Sequence, residues 1–380
     1  MFSVITLLKI RTEAKSSPTS ARVLRLDIPS KTIITPQRSL TAKRGGFSEL
    51  SLLSDKVNVI EIYKNVSIER LNDIDGDKDK QDDFVSEFLK PINTIPKDTV
   101  VFGIFEIAAP KDGLIQAKHI DYISDLIAAP QVDVVATPLF APKLCGGEDA
   151  WFDLTKRYID SVRDKQIIAA IPSIPHTHVG PYMRKLLKLD IRMFALEFNG
   201  TNPASTSKYP HVRAIKRLIS EQDENDTLLF YGLNVKYGKI INPNEPTPAR
   251  DMLSPIFGVD IFGTNHKRAF TKMPQKPPVY RILDDKNYFY QNPSRPEQAK
   301  YLCDTPGCKF SINNLRSIID PGDKRDYVKC INAEKQTAEL AVLNRIIRED
   351  ADRDYVMSKP GVASDPNLRK MLNEVAEQYF

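Results

Sequence analysis

Gly258-Val259-Asp260-Ile261-Phe262-Gly263-Thr264-Asn265-His266-Lys267-Arg268 is a short apolar run that ends in polar and basic residues. A run of this kind, bounded by turn formers, reads as a strand buried on both faces, and α/β barrels place their chemistry at the C-terminal ends of such strands. Side chains alternate across a strand, so Asp260 and residue 263 face opposite ways. Asp260 is expected to point toward the helices and hold a backbone or basic group, which leaves Asn265, His266, Lys267 and Arg268 at the rim.

Five more near-continuous apolar runs precede this one: Thr99 to Glu106, Val132 to Pro138, Ile167 to Pro172, Met193 to Phe198 and Leu228 to Leu233. Amphipathic segments lie between them, among them Ile115 to Ile127, Trp151 to Arg163, Pro181 to Leu189 and His211 to Ser220. Alternation of this kind predicts a parallel sheet, and the number of units favours a closed (β/α)8 TIM-like barrel over an open sheet. No glycine-rich phosphate fingerprint follows the first strands, which counts against a dinucleotide-binding fold.

Ahead of the barrel, Met1 to Ile10 reads as a strand, Thr12 to Ser20 as a polar turn or hairpin, and Ala21 to Pro36 as a β-hairpin centred on Pro29-Ser30-Lys31. Asp73-x-Asp75-Gly76-Asp77-x-Asp79 has the acid density of a calcium loop, but its glycine falls too early for an EF-hand, so a solvated loop is expected. Lys272 to Arg295 is rich in Pro and Tyr and reads as an excursion from the barrel. A helical tail follows, with one helix over Ala333 to Arg348, a break at Pro360-Gly361 and a last helix from Asn367 to Tyr379. The expected division is a barrel with N-terminal hairpins over 1–300 and a cysteine-containing helical segment over 301–380.

At 380 residues, 41% hydrophobic and 27% charged, the composition is that of a globular chain rather than a disordered or membrane one. A net charge of +5 permits a local nucleic-acid patch without requiring one. Four cysteines are too few for a secreted disulfide scaffold, and no run is long enough to span a bilayer, so the expected location is the cytoplasm, with no membrane partner.

The stretch from Gly258 resembles the last barrel strand of the tRNA-guanine transglycosylases, G-[VI]-D-x-F-D followed by T-R. Ala21 to Pro36 is similar to that family's opening, A-R-x-G-x-L-x-x-P-H-G-x-[IV]-x-T-P, and Cys303, Cys308 and Cys330 occupy the places of its C-x-C-x-x-C and later H-N. The resemblance implies a pentosyltransferase that exchanges guanine in tRNA, or in DNA, for a 7-deazaguanine base through a covalent sugar intermediate. It also implies a C-terminal zinc-type segment. Here Thr305 replaces the middle cysteine and Cys330 the histidine. The segment is therefore either a three-thiol zinc site completed by Asp304 or water, or a knuckle that has lost its metal.

The family's aspartates are replaced as well: Gly263 stands at the nucleophile, an apolar residue near Gly103 to Phe105 at the acid-base position, and Pro138-Leu139 at the base-reading position. Glu106 and Glu197, acids at strand ends, are the candidates for relocated catalytic groups. His176 and His178, Asn199, Lys236, and Asn265 to Arg268 are the candidate binding residues, as groups that hold a base or a phosphate. Lys267, Arg268, Lys272, Lys276 and Arg281, interleaved with Phe270, Tyr280, Tyr288 and Tyr290, have the mixture of cations and rings used on single-stranded nucleic acid. The loss of acids leaves a second expectation, a non-catalytic subunit that binds nucleic acid or pairs, as a homodimer or with a catalytic transglycosylase.

Overall fold

The structure is a computed structural model that describes residues 8–41, 59–108, 114–127, 129, 131–222, 227–238, 242, 245–266, 281–291 and 324–377. Three antiparallel strands open the chain: β1 (Lys9–Lys15), β2 (Arg22–Ile28) and β3 (Lys31–Ile34). The tight hairpin expected at Pro29-Ser30-Lys31 is present, with Ser30 at φ +62°. The stretch from Thr12, expected as a polar turn or hairpin, belongs to the antiparallel β1–β2 hairpin: Thr12, Ala14 and Lys15 continue β1 opposite Leu24, Val23 and Arg22, and Glu13 is left out of the ladder at a bulge.

The chain then enters the barrel through β4 (Gln37–Arg38) and β5 (Leu40–Thr41), which flank Ser39. β6 (Val59–Ser67), α1 (Ile68–Ile74), α2 (Lys78–Leu89), β7 (Val100–Ala108), α3 (Ala117–Ile127) and β8 (Val134–Ala136) follow. Next come α4 (Glu148–Ser161), β9 (Gln166–Ile171), α5 (His176–Leu187), β10 (Met193–Glu197), α6 (Tyr209–Ser220) and β11 (Leu229–Val235). After the two-residue β12 (Thr247–Pro248) comes β13 (Ile261–Thr264). The parallel sheet runs β4-β13-β11-β10-β9-β8-β7-β6-β5. Since β4 and β5 are neighbours in sequence but lie at opposite ends of that order, the sheet returns on itself as a nearly closed, TIM-like barrel flanked by helices.

All six apolar runs are strands of this sheet. β6 is a further one, hidden in sequence by its polar members: Glu61, Tyr63 and Asn65 alternate with Ile60, Ile62 and Val66. Residues at every second position face inward. Val59, Val100, Phe102, Ile104, Met193, Ala195, Leu229, Tyr231 and Ile261 form the inner core together with Leu24, Leu26, Ile28 and Ile33 of the hairpin. The hairpin therefore closes the end where the strands begin. Lys31 Nζ fixes it to Asp133 (2.6 Å) and the Thr99 carbonyl (2.8 Å), and Arg22 to Asp260, whose carboxylate also accepts from the Phe230 N–H at 2.7 Å.

The acidic stretch expected as a loop is largely helical. Ser67 caps α1 and Asp77 caps α2 by accepting from the backbone N–H groups of Arg70 and Lys80, and Phe84 and Phe88 bury one face of α2. Only Asp75 to Asp77, with Gly76 at φ +80°, makes the turn between them.

Beyond the barrel lie the hairpin β14 (Ile282–Asp284) and β15 (Phe289–Gln291), then α7 (Lys324–Arg348), α8 (Asp352–Met357), α9 (Pro360–Ala363) and α10 (Pro366–Glu377). The long helix ends where expected, but Asp350 at φ +56° makes the break; Pro360 starts a new turn of helix rather than ending one. The expected aromatic and basic surface is overturned at three positions. Tyr288 and Tyr290 are fully buried, and the buried Arg281 guanidinium donates to the Asn242, Glu245 and Tyr290 carbonyls. These groups hold the C-terminal segment to the barrel. Lys267, Arg268, Phe270, Lys272, Lys276 and Tyr280 lie outside the described residues.

Candidate functional site

The barrel interior turns from apolar to polar as the strands rise toward their C-terminal ends. On β6 the inward series is Val59, Glu61, Tyr63, Asn65, and β7 runs beside it with Phe102, Ile104 and Glu106 in register opposite Glu61, Tyr63 and Asn65. β10 brings Glu197 to the same end, and β13 brings Gly263 two residues above the inward Ile261.

Glu61 and Gly263 share one space in this mouth. A Cβ built on Gly263 would fall 2.8 Å from Glu61 Oε2 and closer still to Oε1. The carboxylate of Glu61 therefore fills the space that any side chain at 263 would take. It is wholly buried, accepting from the Tyr231 hydroxyl at Oε1 and lying 2.9 Å from His266 Nε2 at Oε2. Opposite a carboxylate acceptor, Nε2 is assigned the imidazole proton. Ser39 Oγ is 2.6 Å from the Tyr231 hydroxyl, and Arg38 reaches across to Thr264 Oγ1 at 2.7 Å, so the short β4–β5 stretch supports the same cluster.

Above this layer the His266 ring lies flat on Tyr63, with centroids 4.1 Å apart and planes 9° apart. Tyr63 donates to Glu106 Oε2 at 2.6 Å, and Asn65 donates to the same oxygen at 3.1 Å. Asn234 joins the two sides of the mouth: its amide nitrogen is 3.1 Å from Glu197 Oε1 and 3.2 Å from the Tyr63 hydroxyl, and its oxygen accepts from the His266 N–H at 2.8 Å. Its backbone is left-handed, at φ +54° inside β11, a conformation that asparagine adopts more readily than most residues. Burial, then the charges of Glu106 and Glu61 respectively, push the Tyr63 and Tyr231 phenols far above their ordinary range. Both therefore stay protonated and donate at any ordinary pH.

Glu106 and Glu197, the acids expected at strand ends, are thus brought into one hydrogen-bonded chain, and Asn265 and His266 stand beside them. Asn265 packs over Gly200, next to Asn199. Lys236 lies one step further along the loop after β11, its backbone N–H bonded to the Thr201 carbonyl at 2.7 Å and its ammonium over the Tyr237 ring.

His176 and His178, expected among the groups that hold a base or a phosphate, form the first turn of α5, and their rings turn outward: His178 Nδ1 is 3.0 Å from Glu148 on α4, and His176 faces His211 on α6. Cys303 and Cys308 lie outside the described residues, as does the side chain of Cys330 within α7. Among the described residues no group of three or more His, Cys, Asp or Glu side chains is placed to hold a metal. Likewise, no described helix is long and apolar enough to cross a membrane.

The residues that sequence reasoning missed are Glu61, Tyr63, Asn65, Asn234 and Tyr231. The available signal was a single acid, Glu61, set between Ile60 and Ile62 at the start of β6. No protein-family model matches the chain, and no curated protein matches it. Fold and geometry define its class: a TIM-like barrel with a buried carboxylate and two rim carboxylates at the C-terminal mouth.

Proposed function

We propose that the protein is a guanine-transglycosylase-like enzyme that exchanges a base in tRNA or DNA, with Glu61 as the attacking carboxylate. The observation that carries this reading is the occupation of the space above Gly263 by the Glu61 carboxylate, so that the group missing from one strand is supplied by another. A Glu61 oxygen would bond to the sugar C1′ as the bond from C1′ to the guanine nitrogen breaks, and the leaving guanine would take a proton from the rim. An incoming 7-deazaguanine would return that proton as its ring nitrogen displaces the carboxylate. Glu106 and Glu197, joined through Tyr63 and Asn234, handle the proton. His266 covers Glu61, so its imidazole must leave Tyr63 for a sugar to approach. The reading keeps zinc in the C-terminal segment, on Cys303, Cys308 and Cys330, and the protein in the cytoplasm. Metal analysis of purified protein tests the zinc.

Exchange of labelled guanine into bulk tRNA and DNA tests the activity. Glu61→Gln keeps the shape and removes the nucleophile, so exchange should fall by at least about 100-fold. Wild-type exchange in that variant would end the assignment. A second reading, an accessory nucleic-acid-binding subunit, is favoured by the complete burial of Glu61 between Tyr231 and His266, which is how a structural acid sits. Such a subunit would show no exchange alone and would co-purify with an active transglycosylase.

A further inference from the structure

The groups at the mouth differ in how firmly they are held. Glu61 and Tyr63 stand two residues apart on the inward face of β6, which pairs with β7 along its whole length. The Tyr63 hydroxyl is fixed at its far end, donating to Glu106 at 2.6 Å and accepting from the Asn234 amide at 3.2 Å. Tyr231 donates to Glu61 Oε1 from the other side. His266 comes from outside the sheet, two residues beyond the end of β13. Its backbone N–H is tied to Asn234 Oδ1 at 2.8 Å, while its ring is held separately, by the Tyr63 face and by Glu61 Oε2 at 2.9 Å. Rotation about the side-chain bonds therefore carries the imidazole off Tyr63 and leaves the backbone bond, the platform and the carboxylate in place.

The imidazole makes the two contacts that suit a planar nitrogen heterocycle: a face against an aromatic ring, with centroids 4.1 Å apart and planes 9° apart, and a ring N–H against a carboxylate. Neither contact depends on the ring belonging to this chain. A free heterocycle with a ring N–H can make both in its place, and over a wider face if its rings are fused. With the imidazole seated, the Glu61 side chain has 0% exposure and His266 itself 13%, so the occupant also seals the carboxylate from water. A tethered occupant acts at high effective concentration, and the apparent affinity of a free ligand falls by the fraction of time the seat is empty.

We propose that the Tyr63 face is the seat of a planar nitrogen heterocycle carrying a ring N–H, and that His266 is its tethered occupant, displaced when the ligand binds. The seat is inferred from the stack and the carboxylate; naming its ligand a nucleobase rests on the exchange reading.

The test titrates the full chain with imidazole and, separately, with 7-deazaguanine, followed by calorimetry. His266→Gly vacates the seat and should bind both probes at least about tenfold more tightly than wild type. Adding Tyr63→Leu to that variant should abolish the gain. A second measurement needs no variant: in the wild-type protein the His266 ring protons, shifted upfield by the Tyr63 ring, should move to the positions of a free histidine as 7-deazaguanine is added. Equal affinities in wild type and His266→Gly, no binding by either protein, or 7-deazaguanine binding that leaves the His266 signals where they were would each overturn the seat. Should His266→Gly fail to fold, the wild-type signals decide alone. The exchange assay separates this inference from the reading it extends: tighter binding in His266→Gly without base exchange in wild type leaves the seat standing and removes the transglycosylase, and exchange with an undisplaced His266 does the reverse.

Discussion

Gly263 works by what it lacks. With a side chain there, the carboxylate of Glu61 would have to move, and it is held from both sides by Tyr231 and His266. Gly263→Ala should destabilise the protein by about 1–3 kcal/mol, as overpacking of a buried site does. Glu61→Ala empties the same space and leaves the Tyr231 hydroxyl without its acceptor, so it should also be costly. The two changes share one volume and should not add: the double variant is expected to be more stable than the sum of the single effects by about 1 kcal/mol or more, measured by urea unfolding. Strict additivity would mean that the two positions do not compete for space. At this scale the sequence was legible for Gly263, whose oddness shows in a run of larger apolar residues. It was not legible for Glu61, because one acid in a strand does not announce which strand lies across the barrel from it.

The element that anchors the C-terminal segment is the buried contact among the 3-10 turn Arg250–Leu253, β15 and α7. Asp251 Oδ2 accepts from the Tyr290 hydroxyl at 2.6 Å and from Gln336 Nε2 at 2.8 Å, while its other oxygen has no hydrogen-bond partner. Burial raises this carboxyl to about 6, against an unfolded value of about 3.9. The folded state therefore holds a proton that the unfolded chain gives up between about pH 4 and pH 6, and stability falls as pH rises through that window. Asp251→Asn removes this dependence. Relative to wild type, the variant should gain stability on the order of 2–3 kcal/mol between about pH 4 and pH 7, read from denaturant unfolding at each pH. A gap that stays constant would show that Asp251 is charged when folded. On the far side of the segment, Gly361 lets α9 approach the β14–β15 turn closely enough for its N–H to donate to the Asn287 carbonyl at 2.7 Å. The helix pattern of this segment was readable in sequence, while its docking partners, which are single polar groups far away along the chain, were not.

Across the whole molecule the two ends of the chain are tied together. Ser16 and Thr19, after β1, both donate to the buried Asp352 at the start of α8; Arg348 pairs with Glu13 at 2.5 Å; and Asn344 donates to the Thr35 carbonyl at 2.6 Å. The N-terminal hairpin in turn closes the barrel, so C-terminal helices, hairpin and barrel share one load. Asp352→Ala strands two hydroxyl donors and should cost about 2–4 kcal/mol. If the ends act together, calorimetry should still show one transition, shifted to lower temperature. A separate early transition confined to the helices would show that they unfold alone.

The local pattern of the chain determined most of its strands and helices, though not β6 or the acidic helices α1 and α2, because an apolar run or a period of 3.6 in apolar residues depends only on which neighbours must leave water. The tertiary structure alone decided which polar groups meet. Glu61 and Gly263, or Glu106 and Glu197, are joined only when the strands of the parallel sheet curl into a nearly closed ring, and the closing distance between them is set by strand tilt and register. No feature of the residues between them encodes that distance.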